Sequence, residues 1–107
     1  MTQIPRLSQA EKDRLEEAVL KDSSVTRATL GSTVFVEESF SGEEVWSGWV
    51  CTFVIDGNPL CSICYAWSEH YEDTGKDRIF TVMQLGPVQS PADAVRASIL
   101  ADYKSEE

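Results

Sequence analysis

The chain is short of positive charge, of histidine and of long apolar runs, and each shortage excludes something. Nine Lys and Arg stand against 18 Asp and Glu, giving a net charge of −9 over 107 residues. Proteins that grip nucleic acid neutralise its phosphates with clustered Lys and Arg. No such cluster occurs here, so direct binding to DNA or RNA is not expected. Docking on an anionic membrane relies on the same basic clusters and is not expected either. The longest apolar run, Trp49 to Ile55, is interrupted by Thr52. It falls far short of the roughly 20 residues needed to cross a bilayer. Met1 to Asp13 holds no apolar core of a secretory signal. Three cysteines are an odd number, which does not suggest a disulfide framework. The expected compartment is the reducing cytoplasm.

Phosphate-cradling and nucleophile motifs are missing as well. No G-x-G-x-x-G, Walker loop, G-x-S-x-G or H-E-x-x-H occurs. The single histidine, His70, lies in the polar run Ser68 to Asp73 and reads as a solvated loop residue. The acidic stretch Glu69 to Asp77 lacks the alternating acids, central Gly and final Glu of a calcium loop. Cys61-Ser-Ile-Cys64, with Cys51 and His70 nearby in sequence, raises a Cys₃His zinc site. Residues three apart on a regular strand point to opposite faces, so Cys61 and Cys64 would not share an ion. No catalytic residue, metal or cofactor is assigned.

What is present predicts one α+β domain over residues 1–107. Ser8 and Glu11 form a capping box, and Leu15, Ala18 and Val19 recur at helical spacing, predicting a helix over about residues 8–22. Leu30 to Val36 reads as a strand ending at Glu37-Glu38, followed by a turn from Ser39 to Gly42. Strands are then expected at Val45–Ile55, Leu60–Ser68 and Arg78–Leu85. A turn at Asp56 to Pro59 and a polar loop at Ser68 to Asp77 separate them. Ser90 as N-cap, Pro91 at the first position and Asp93 beside the dipole open a last helix, striped by Val95, Ile99 and Tyr103. The expected architecture is a four-stranded antiparallel meander flanked by an N-terminal and a C-terminal helix, α-β-β-β-β-α.

With Gly57 and Asn58 at the tip, Ile55 faces Leu60, Cys51 faces Cys64 and Trp49 faces Ala66. Both faces of this hairpin are then apolar. One carries Trp49, Phe53, Ile55 and Leu60; the other carries Val50, Val54, Ile63, Tyr65 and Trp67 with Trp46. Either the helices split between the faces, or one aromatic face stays open as an interface and a homodimer forms through it.

Charge is unevenly placed. All nine bases lie outside residues 28–75, and that segment holds Glu37, Glu38, Glu43, Glu44, Asp56, Glu69, Glu72 and Asp73. Glu37-Glu38 and Glu43-Glu44 are expected to lie close across the first hairpin. Such an edge serves solubility and protects the sheet from strand addition, or it steers a basic partner. The leading expectation is a non-catalytic protein-binding domain that docks a basic surface and inhibits or masks its owner. Glu37, Glu38, Glu43, Glu44, Trp46, Tyr65 and Trp67 are the partner-binding candidates. Small acidic proteins of phages and mobile elements offer an analogy of size and charge only. A DNA-mimic inhibitor of a nucleic-acid enzyme, a chaperone or immunity protein masking an apolar surface, and a small Cys/His zinc protein or enzyme are the alternatives.

Overall fold

The computed structural model describes residues 7–40, 42–71 and 75–105, with the backbone alone at residues 40, 43–45, 70, 71 and 102–105. The elements are α1 (Gln9–Leu20), β1 (Arg27–Phe40), β2 (Glu43–Asp56), β3 (Ile63–Tyr71), β4 (Lys76–Met83) and α2 (Pro91–Ser105). They follow the expected α-β-β-β-β-α order. The strands form one antiparallel sheet in the order β1-β2-β3-β4. No helix among the described residues is long and apolar enough to cross a membrane.

Both helix starts form as their sequences dictate. The Ser8 hydroxyl accepts from the Glu11 N–H at 3.2 Å, and the Glu11 carboxylate accepts from the Ser8 N–H at 3.1 Å. These reciprocal bonds satisfy two of the donors that the first turn of α1 leaves without an intrahelical partner. At α2 the Ser90 hydroxyl accepts from the Asp93 N–H at 3.2 Å, and the Asp93 carboxylate accepts from the Gln89 N–H at 3.0 Å. Tyr103 falls outside the residues whose side chains are described.

The strands run longer than their apolar cores suggested. The segment Glu69 to Tyr71, expected as loop, continues β3 and pairs with Lys76 to Arg78 of β4. Ladder bonds are made by the backbone and do not require apolar side chains.

The β2–β3 register differs from the expected one by two residues. Cys51 opposes Ala66 and Phe53 opposes Cys64. The connection is longer than a two-residue turn because the Asn58 side chain shapes it. Its carbonyl accepts from the N–H groups of Leu60 and Cys61 at 2.8 and 3.2 Å, and its amide donates to Ser24 Oγ at 2.9 Å. Leu60, expected to face Ile55, therefore sits in the connection and is 76% exposed. Cys61 likewise precedes β3 and lies outside the strand. A slip of two preserves the side of the sheet on which each residue falls, so the two apolar faces survive the correction.

Each face is covered by one helix. On the first, Cys51, Phe53, Ile55, Cys64 and Ala66 pack with Leu15 and Val19 of α1. On the second, Val36, Val50, Tyr65, Trp67 and Phe80 pack with Ala94 and Val95 of α2. The helices split between the faces, and the aromatic face from which a homodimer was expected is occupied by α2.

Two irregularities aim the hairpin. An extra residue at Gly31 shifts the β1–β2 register, and a second shift falls between Glu38 and Ser39. Ala28 and Leu30 lie on the α1 side before the Gly31 bulge, and Thr33, Phe35 and Glu37 lie there after it. Among the described residues, β2 and β3 pair only from Cys51↔Ala66 to Val54↔Ile63, so the two hairpins part beyond that point. Trp46 and Trp67 bridge them, with ring centroids 6.2 Å apart, and Trp67 stacks on Phe80 at 5.3 Å and 10°. Gly48 makes room for this bridge: a Cβ there would stand 2.7 Å from the Trp46 ring.

Candidate functional site

Helix length decides what each face leaves bare. Strands β1 and β2 have 14 residues each, about 46 Å when extended at about 3.3 Å per residue. Helix α1 has 12 residues, about 18 Å at about 1.5 Å per residue. It cannot reach both ends of the hairpin. It lies over the β2–β3 junction and toward β4, where Arg14 meets Asp77 at 3.9 Å. Among the described residues, no helix packs over the outer half of the β1–β2 hairpin on that side. Helix α2 covers the outer half of the opposite side, and among the described residues Val34 and Val54 toward its inner end stay exposed. The two helices therefore protect diagonally opposed parts of the sheet.

The bare outer half on the α1 side carries Phe35 and Trp49, which oppose each other in register and meet edge to face with centroids 5.3 Å apart. Both are only partly buried. A cavity of about 200 Å³ opens beside them, lined by Leu7, Lys12, Thr33 and Trp49. Metabolite sites run to roughly 300–1,000 Å³, so this cavity suits one large side chain rather than a small-molecule ligand. The next residues outward on the same side are Glu37, which is exposed, and Ser47.

The acidic candidates are distributed differently from the expectation. Glu37 opposes Ser47, Glu38 opposes Trp46, Ser39 opposes Glu44 and Phe40 opposes Glu43. The four glutamates thus do not oppose one another across the ladder. The bulge beside Glu38 and the close turn displace the pairs along the hairpin. The side chains of Glu43 and Glu44 lie outside the described residues. Glu38 points the other way, under α2, and is only 8% exposed. Its carboxylate accepts from Arg96 Nε at 3.2 Å, and Arg96 also lies 3.5 Å from Asp93. The bond to Glu38 holds the guanidinium above its ordinary pKa. Glu38 is thus a clasp between β1 and α2, not a free surface charge.

The aromatic candidates move inward in the same way. Trp67 is fully buried and Tyr65 nearly so, and Trp46 is partly buried against them. The Tyr65 hydroxyl accepts from Gln84 Nε2 at 3.1 Å, and burial raises its pKa. These three residues build the floor under α2. The residues that sequence reasoning missed are Phe35 and Trp49. Their signal was present: an aromatic pair on strands too long for the preceding helix to cover.

Cys51 and Cys64 are buried, and burial pushes both thiols up, Cys64 to about 12. Such thiols stay protonated and are poor nucleophiles at neutral pH. Among the described residues no three of His, Cys, Asp and Glu come together as a metal-binding group. The backbone of His70 lies in β3 opposite Asp77, and its side chain is outside the description.

The meander brings both of its hairpin ends to one edge of the sheet. Glu37, Glu38, Glu43 and Glu44 lie near the end of the β1–β2 hairpin and Glu69 near the end of β3. Glu72 and Asp73 follow in the connection outside the described residues. Among the described residues, Asp56 lies at the opposite end, facing Arg27. Comparison with known protein families, with curated proteins and with solved structures finds no match for this chain.

Proposed function

We propose that this chain is a non-catalytic binding domain that docks a basic surface of a partner protein through the outer half of the β1–β2 hairpin on the α1 side. The observation that carries the reading is the partly buried Phe35–Trp49 pair set beside the exposed Glu37. Aromatic anchors next to a small pocket supply affinity in protein interfaces. Glu37, exposed beside them, supplies steering toward a basic partner. A pocket of about 200 Å³ accepts one anchoring side chain from that partner. Inhibition or masking of the partner is the activity such docking would produce. A reducing compartment, the cytoplasm, suits the three free thiols.

The test is affinity capture from the native host with the intact chain, with Trp49→Ala and with Glu37→Lys. A partner held by the intact chain at low salt should be lost with Trp49→Ala and weakened with Glu37→Lys. Added salt should release it. Capture that is indifferent to both substitutions would overturn the reading.

A further inference from the structure

We infer that the cavity beside Lys12 seats the carboxylate of an acidic side chain, Asp or Glu, presented by the docked protein. This deepens the docking reading and rests on it for the source of that side chain. Leu7, Lys12, Thr33 and Trp49 line the cavity, and its volume of about 200 Å³ suits one side chain. Lys12 stands near the start of α1 and is partly buried. The acids on either side of it are engaged elsewhere. The Glu11 carboxylate accepts from the Ser8 N–H at 3.1 Å, and the Asp13 carboxylate accepts from Gln9 Nε2 at 2.9 Å. Among the described residues no acid forms an ion pair with Lys12. Its charge reaches the strand beneath. Burial raises the Cys51 thiol, while the Thr33 hydroxyl, 3.8 Å from Cys51 Sγ, and the Lys12 ammonium pull the other way.

Charge and desolvation select the anchor. Any side chain that enters the cavity displaces water from the Lys12 ammonium. An apolar anchor would leave that charge without a partner, and burying an unpaired charge is costly. A Lys or Arg anchor would add repulsion between like charges. A carboxylate forms a charge-assisted bond with the ammonium, and the Thr33 hydroxyl on the same wall is a further donor. The exposed Glu37 lies on the same side of β1, four residues from Thr33 and so about 13 Å away at about 3.3 Å per residue. The Phe35–Trp49 pair stands between them. The partner is therefore read by two charges of opposite sign, an acid at Lys12 and a base at Glu37, on either side of an apolar contact. A surface with basic groups alone meets repulsion at Lys12, so the pair adds discrimination that net charge does not supply.

Nuclear magnetic resonance titration of the labelled full chain with N-acetylglutamic acid α-methylamide, which carries one side-chain carboxylate, tests the pocket. N-acetylglutamine α-methylamide is the neutral control, at ionic strength matched with sodium chloride. The acid should give saturating shifts at the Lys12 ammonium and the Thr33 amide in the millimolar range. It should bind more tightly than the amide by about threefold or more, the effect of one partly screened ion pair. Lys12→Gln should abolish this preference, since Gln suits the helix and removes the charge, and Lys12→Arg should retain it. Equal response to the two probes, shifts that never saturate, or a preference that Lys12→Gln leaves intact would overturn the inference. Docking is tested apart from the anchor. A captured partner lost with Trp49→Ala but indifferent to Lys12→Glu keeps the docking reading and refutes the acidic anchor. Capture indifferent to Trp49→Ala and Glu37→Lys refutes docking, and with it the source assigned to the side chain, even where the probe saturates.

Discussion

Replacing Trp67 by alanine should cost about 3–5 kcal/mol of folding stability, the usual range for emptying a buried aromatic site. Trp67 has no exposed surface, stacks on Phe80 of β4 and meets Trp46 of β2. It fills the angle where the β2–β3 ladder has ended, so its loss separates side chains from three strands and α2. An indole that buries about 150–250 Å² is worth about 4–6 kcal/mol at about 25 cal/mol/Å², an upper bound that agrees with the mutational range. Against a total of about 5–15 kcal/mol, the melting temperature should fall by about 12 °C or more. Trp49→Ala is the control. Trp49 keeps part of its surface exposed and touches Phe35 edge to face, so its loss should cost clearly less than that of Trp67. Urea unfolding followed by far-ultraviolet circular dichroism avoids the fluorophore that each substitution removes, and equal m-values would show that only stability changed. Equal costs at the two tryptophans would refute the assignment of Trp67 to the core and Trp49 to the surface.

Three further outcomes follow from the same geometry. Because burial raises Cys64 from about 9 to about 12, the folded chain keeps that proton while the unfolded chain loses it. The associated stability is therefore intact below about pH 9 and falls as pH rises toward 12, a slope that Cys64→Val should flatten in chemical denaturation. Gly57 has φ +104°, and a Cβ there would stand 2.5 Å from the Ser24 carbonyl oxygen. Gly57→Ala should lower stability by at least about 1–3 kcal/mol, and an unchanged urea midpoint would refute this account of the turn. Arg96→Ala should destabilise more than Glu38→Gln, because it leaves a buried carboxylate without its cation while the amide keeps an acceptor. The reverse order of melting temperatures would contradict the clasp.

Much of this fold is legible in the residues, and the illegible parts have definite causes. Ser8 with Glu11, and Ser90 with Pro91 and Asp93, mark helix starts through local bonds that need no tertiary context. The two apolar faces of the β2–β3 hairpin are legible even from a wrong register, since alternation survives a shift of two. Strand ends are not legible, because Glu69 to Tyr71 look like loop yet satisfy a ladder. The burial of Glu38 is invisible because its partner, Arg96, is 58 residues away. Alternation gives the face of Trp49 but not whether a helix reaches it. That depends on how far a 12-residue helix extends along a 14-residue strand. Sequence alone therefore puts Trp46, Tyr65 and Trp67 on a sheet face without showing that α2 covers them.

The measurement closest to the central claim is backbone and indole shift mapping of the labelled chain titrated with its captured partner. Docking at the outer hairpin should move the Trp49 indole and the amides of residues 33–37 and 47–49, and leave the Trp67 indole in place. Shifts centred on α2 or on Val34 and Val54, with Trp49 unmoved, would contradict it.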